Sequence, residues 1–203
     1  MLFDITKTAQ KNETPDTPPA NKTESQLGAH SLLLTSQLSD LKTTVPVLTP
    51  GTVYDFISFG QWSLAHILIY VLSLTGTADV HATTYGLSPD VVRKLVEAKE
   101  KGMIRNMTLV MDWKIRTYKA EAYFVAEQNF KTRLCSIHAK VTTVINEYYG
   151  VVIQGSANYT RNNKIENNII TVDRERALMH AKWIANLQQT GYDDTDIKPT
   201  AEI

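Results

Sequence analysis

Five side chains in one stretch of the chain have the types and spacing to act on a phosphodiester. The stretch runs from Ile137 to Asp173, IHAKVTTVINEYYGVVIQGSANYTRNNKIENNIITVD. Alternation across Arg133 to Val144 predicts a strand. In it Ile137, Ala139 and Val141 face one way, and His138, Lys140 and Thr142 face the other. A second strand, Tyr149 to Gln154, ends in Gly155-Ser156, with Asn158 two residues beyond Ser156. Pairing of these strands would bring His138, Lys140, Ser156 and Asn158 together. An imidazole attacks phosphorus and forms a covalent intermediate. An ammonium and an amide can hold the non-bridging oxygens, where charge develops in the transition state. A carboxylate behind the imidazole fixes its tautomer, and Glu166 is the nearest candidate. Departure of the leaving group also needs an acid. One imidazole cannot easily serve both sides of phosphorus, so the chain holds half a site.

The elements that must position these residues follow from periodicity and punctuation. Thr52 to Gly60 and Ala78 to Gly86 read as strands, separated by an apolar helix from Gln61 to Thr75. Ser88, Pro89 and Gly102 mark the start and stop of a helix with Val91, Leu95 and Ala98 on one face. Asn106 to Asp112 is a third strand and Tyr118 to Phe130 a helix. Asn168 to Val172 is a last strand, leading into a helix from Arg174 to Gln189. Strands alternating with helices imply an α/β sandwich around a mixed sheet. That domain is expected over residues 50–190. Residues 1–48, rich in Pro, Thr, Ser, Asn and Gln, are expected to be mostly disordered. Within them Ser31 to Leu41 forms either a short amphipathic helix or a linker. The segment after Gly191 reads as an acidic, flexible tail.

The chemistry-bearing segment resembles the motif of the phospholipase D superfamily, which is His-x-Lys, an Asp, Gly-Ser-x-Asn and a later Glu. His138-Ala139-Lys140, Gly155-Ser156-Ala157-Asn158 and Glu166-Asn167-Asn168 carry the match, with Glu166 eight residues after Asn158. The resemblance spans roughly residues 50 to 190. It implies a phospholipase D-like sandwich, a mixed sheet flanked by helices. It further implies a metal-independent phosphodiesterase working through a phosphohistidine. In that superfamily half-sized chains with one motif form homodimers, in which one His is nucleophile and the other acid. The small single-motif members are bacterial endonucleases. On this basis His138, Lys140, Ser156, Asn158 and Glu166 are the expected catalytic set, and Gly155, Arg161 and Lys164 the expected substrate contacts. One position departs from the pattern. Ile145 stands where the family has its Asp, and the stretch from Lys140 to Gly155 is three residues longer. A longer hairpin at Asn146–Gly150 would account for both.

Composition narrows the alternatives. The 203 residues carry 21 basic and 21 acidic side chains, 43% hydrophobic residues and a single cysteine, Cys135. This excludes a collagen, a disulfide scaffold and a wholly disordered chain. The zero balance hides a partition. Residues 51–189 hold 16 basic and 12 acidic side chains, a net of +4, so a polyanionic substrate is not excluded. No pair of histidines has metal-like spacing with a cysteine or carboxylate, so no metal or other cofactor is expected. The apolar run Trp62 to Gly76 is 15 residues, short of the roughly 20 a membrane span needs. Without a signal segment, a cytoplasmic location is expected. Asp112 to Lys119 interleaves cations with aromatics, which suits phosphate contacts and base stacking and equally suits a solvated helix start. The readings that follow are a nuclease acting as a homodimer, a phospholipid phosphodiesterase with membrane lipid as substrate, and a degenerate phospholipase D-like binding module.

Overall fold

The computed structural model describes residues 22–25, 30–33, 41–60, 62–161 and 163–189. The elements, in chain order, are β1 (Lys22–Ser25), β2 (His30–Leu33), α1 (Leu41–Thr44), β3 (Val53–Phe59), α2 (Leu64–Thr75), β4 (Ala78–Thr84), α3 (Pro89–Glu100), β5 (Ile104–Asp112), α4 (Lys114–Tyr118), α5 (Ala120–Asn129), β6 (Lys131–Cys135), β7 (Val141–Ile145), β8 (Gly150–Gly155), β9 (Ile165–Val172) and α6 (Arg174–Gln189). The strands form one mixed sheet in the order β1-β2-β3-β9-β8-β7-β4-β5-β6. β4, β5 and β6 run parallel, and β7, β8, β9 and β3 pair antiparallel in succession.

Each helix forms where the apolar pattern gives it a face to bury. In α3, Val91, Val92, Leu95 and Ala98 are buried, Pro89 occupies the first turn, and Gly102 just past the end takes φ 72°. α2 has Leu64, Ala65, Ile67, Leu68, Val71 and Leu72 buried, so it lies inside the larger core rather than on it. β5 is covered on both sides: Leu109 and Met111 join the core with α2, α3 and α5, while Val110 joins Cys135 and Ile184 beneath α6. Among the described residues α6 thus packs alone on one face, across β4, β5, β7 and β8. No helix among the described residues is long and apolar enough to cross a membrane.

Three expectations need correction. Packing begins ahead of Pro50, because Leu41, Val45 and Leu48 are buried and Tyr70 Oη donates to Val45 O at 2.6 Å. Ser31 to Leu33 belong to a strand, not to a helix over 31–41. β2 pairs parallel with β3, and short apolar runs do not distinguish the two states. The expected helix from Tyr118 to Phe130 breaks at Lys119, whose φ −139° and ψ 46° separate α4 from α5. The N-terminal residues ahead of 22, residues 34–40 and the acidic tail lie outside the described residues.

Candidate active site

The site residues gather at one edge of the sheet, where β3, β4, β5, β6 and β8 end and β7 and β9 begin. This is the edge at which ligands meet open α/β sheets. The single strand expected over Arg133 to Val144 is a fourth correction. β6 ends at Cys135 on the outer edge, β7 starts at Val141 between β8 and β4, and the intervening residues carry His138 and Lys140 across without ladder pairing. Those two side chains therefore owe their direction to anchors from other strands, not to pleat alternation. Asp112 at the end of β5 is one anchor: Ile137 N donates to its Oδ2 at 3.3 Å and Lys114 N to its Oδ1 at 3.0 Å. Thr83 in β4 is the other. Its hydroxyl donates to Ala139 O at 3.0 Å and accepts from Val141 N at 3.1 Å, clamping the residues on either side of Lys140.

His138 and Lys140 meet. Lys140 Nζ lies 3.1 Å from His138 Nδ1, 3.2 Å from Nε2 and 2.6 Å from the His138 carbonyl oxygen. An ammonium can only donate, so a ring nitrogen accepts. The Tyr85 ring packs on His138 with centroids 4.9 Å apart, and Lys140 Nζ stands 5.6 Å from the Tyr85 centroid. His138 is exposed, whereas Lys140 is only 7% exposed. Burial lowers the Lys140 pKa from the usual lysine range, and the Glu166 charge opposes that shift.

Ser156, Asn158 and Glu166 come from the β8–β9 side. Ser156 Oγ donates to Glu166 Oε2 and accepts from Asn167 N at 3.0 Å, while Ser156 N donates to Asn167 O at 3.0 Å. Gly155 is required just before this turn, since a Cβ there would sit 2.1 Å from the same Asn167 oxygen. Glu166 is buried and pairs in register with Ser58 of β3. Asn158 is fixed through its oxygen: Gly86 N donates to Oδ1 at 3.1 Å, and Thr84 Oγ1 lies 3.3 Å away. Arg161 and Lys164, in the following loop, are exposed. Arg161 faces Asp90 at the start of α3, with Nε 3.7 Å from Oδ2.

The structure thus places His138 with Lys140, and Ser156 with Glu166. Asn158 is anchored beside Gly86, and Arg161 and Lys164 stand further out on the loop. Ile145 lies at the opposite end of β7, in register with Asp79 and Gly150. The hairpin beyond it is organised by Asn146, whose Oδ1 accepts from Tyr148 N and Tyr149 N at 3.0 and 2.8 Å. The departure from the family pattern is therefore remote from the His138 end of the strand. Sequence reasoning missed Thr83, Thr84, Tyr85 and Asp112. Their only signal was polar residues clustered where predicted strands stop. Among the described residues no group of three or more His, Cys, Asp or Glu is placed to hold a metal ion.

Comparison with solved structures decides the fold. Nuc from Salmonella typhimurium, described as a phospholipase D family member, is similar over 66% of this chain and 91% of its own, with 23% identity and a TM-score of 0.50. The chain has the phospholipase D fold. A polyphosphate kinase from Porphyromonas gingivalis shares it over 81% of this chain and 30% of the kinase, with 13% identity and a TM-score of 0.56. No family model and no curated protein matches. The phospholipase D fold also explains why the chemistry-bearing residues sit at strand ends, on loops that the sheet holds still.

Proposed function

We propose that the chain is a phosphodiesterase that needs no metal, and most specifically a nuclease working as a homodimer. The observation that carries this reading is the contact between exposed His138 and nearly buried Lys140, backed by the Ser156–Glu166 pair. His138 attacks phosphorus, so a P–N bond forms as the P–O bond to the leaving group breaks. Lys140 Nζ and Asn158 Nδ2 donate to the non-bridging oxygens, where an anchored Oδ1 leaves the amide nitrogen to face substrate. Ser156 holds the Glu166 carboxylate, and Glu166 supplies the negative charge that favours the Lys140 ammonium and orients His138. The departing oxygen takes a proton from the second copy's imidazole. Water then attacks phosphorus, the P–N bond breaks, and the water proton returns to that imidazole. Gly155 sets the turn, and Arg161 and Lys164 contact the substrate backbone.

The test is cleavage of single- and double-stranded DNA in excess EDTA, with mass in solution measured alongside. Cleavage that persists in EDTA and falls by about 10³-fold or more in His138→Ala supports the reading. Dependence on added Mg²⁺, survival of activity in His138→Ala, or a strictly monomeric active species overturns it. Headgroup release from vesicles without DNA cleavage would assign a lipid substrate. Substitution of the family Asp by Ile145 favours a second reading, a binding module, for which binding without turnover is the expected result.

A further inference from the structure

A cavity of about 380 Å³ opens beside His138, lined by Tyr85, Leu87, Lys114, Ile115, Tyr118 and Lys119 among others. Its size falls at the low end of the ~300–1,000 Å³ typical of small-ligand pockets. Tyr85 is shared, forming a wall of the cavity while its ring packs on His138. Tyr85 therefore joins the cavity to the His138 side chain. The walls combine exposed aromatic faces with ammonium groups. Tyr118 is 75% exposed, and Lys114 Nζ stands 5.7 Å from the Tyr85 centroid and 5.8 Å from that of Trp113. Large exposed aromatics are costly to leave in water unless something covers them. Here several of them stand beside Lys114, Lys119 and Lys140.

We propose that this cavity takes an unpaired nucleobase adjacent to the scissile phosphate, stacked on Tyr118 and Tyr85, with Lys114 and Lys119 on the flanking phosphates. The inference rests on the phosphodiesterase reading and sharpens it to a single-stranded nucleic acid. Charge complementarity selects this occupant: an apolar slot rimmed by cations fits a base with a phosphate on either side. A base inside a duplex is stacked on its neighbours and is not free to enter. Stacking is tolerant of base identity because every base presents a π-face.

Affinity for labelled single-stranded DNA tests the inference in the His138→Ala protein, where cleavage does not interfere. The readout is the ratio of affinities for a strand carrying bases and one with abasic residues. A ratio of about 10 is expected. Adding Tyr118→Ala is expected to bring it close to 1, and Tyr118→Phe to preserve it. The same ratio in all three proteins, equal affinity for a duplex, or tighter capture by acidic phospholipid vesicles would overturn the proposal. Absence of DNA cleavage by the wild-type chain would instead count against the catalytic reading, and the affinity ratio still decides the cavity.

Discussion

Replacement of Gly155 by alanine tests how tightly the fold and the site are joined. The added Cβ would lie 2.1 Å from Asn167 O and 3.0 Å from Asn168 Cα, both backbone atoms of β9. Ordinary contact needs roughly 1 Å more, so β8 and β9 must separate at this end. That separation stretches the 3.0 Å bond from Ser156 N to the same Asn167 oxygen. Loss of one hydrogen bond costs about 1 kcal/mol, and forced overpacking about 1–3 kcal/mol. Together they give about 2–4 kcal/mol, or a drop of about 4–16 °C in Tm for a domain of this size. Because Ser156 carries Glu166, turnover is expected to fall with stability. Gly102→Ala is the control: φ is 72° there but no atom lies within 4 Å of the added Cβ. It should cost only the ~1–2 kcal/mol of the left-handed conformation and leave turnover at the wild-type level. Thermal unfolding followed by circular dichroism, with phosphodiesterase turnover measured well below Tm, separates the two variants. A Gly155→Ala protein that melts within a degree of wild type and remains fully active would refute the steric reasoning.

Two further outcomes follow from the same structure. Thr83→Val keeps the shape but strands Ala139 O and Val141 N, so it should cost about 1–3 kcal/mol and lower kcat more than it raises KM, as seen by steady-state kinetics beside denaturant unfolding. Burial lowers the pKa of His66, His81 and His180 below the free-histidine value, so the unfolded chain binds protons that the folded chain refuses. Their contribution is full above a pH of about 6.5 and lost as pH falls through the folded-state values. Tm should therefore decline on acidification, and His81→Gln should flatten the decline. A slope identical to wild type would exclude His81 as a contributor.

Local signals carried most of the fold. Ser88, Pro89 and Gly102 bracketed α3, and α6 runs from Arg174 to Gln189 as its pattern implied. His138, Lys140, Ser156, Asn158 and Glu166 were legible as candidates because their spacing is local to one segment. Their support was not. The alternation Ile137-Ala139-Val141 continues smoothly past the end of β6, and nothing local shows that the chain there leaves an outer strand and re-enters the sheet three positions away, beyond β5 and β4. Thr83 and Asp112 lie well ahead of the residues they hold, so only tertiary pairing reveals them. The packing of Leu41 was hidden for a similar reason. A four-residue helix gives no periodicity, and burial of Leu41 depends on elements elsewhere in the chain.

Thr83 and Thr84 are neighbours on one strand, and because side chains alternate they point to opposite faces. One clamps the segment bearing His138 and Lys140, and the other holds the loop bearing Asn158. A single peptide unit of β4 therefore sets the offset between the His138–Lys140 segment and Asn158. Changing that offset would mean bending a strand flanked on both sides by β7 and β5. The two segments share one rigid ruler. On the proposed phosphodiesterase reading, little reorganisation remains to be done when substrate arrives.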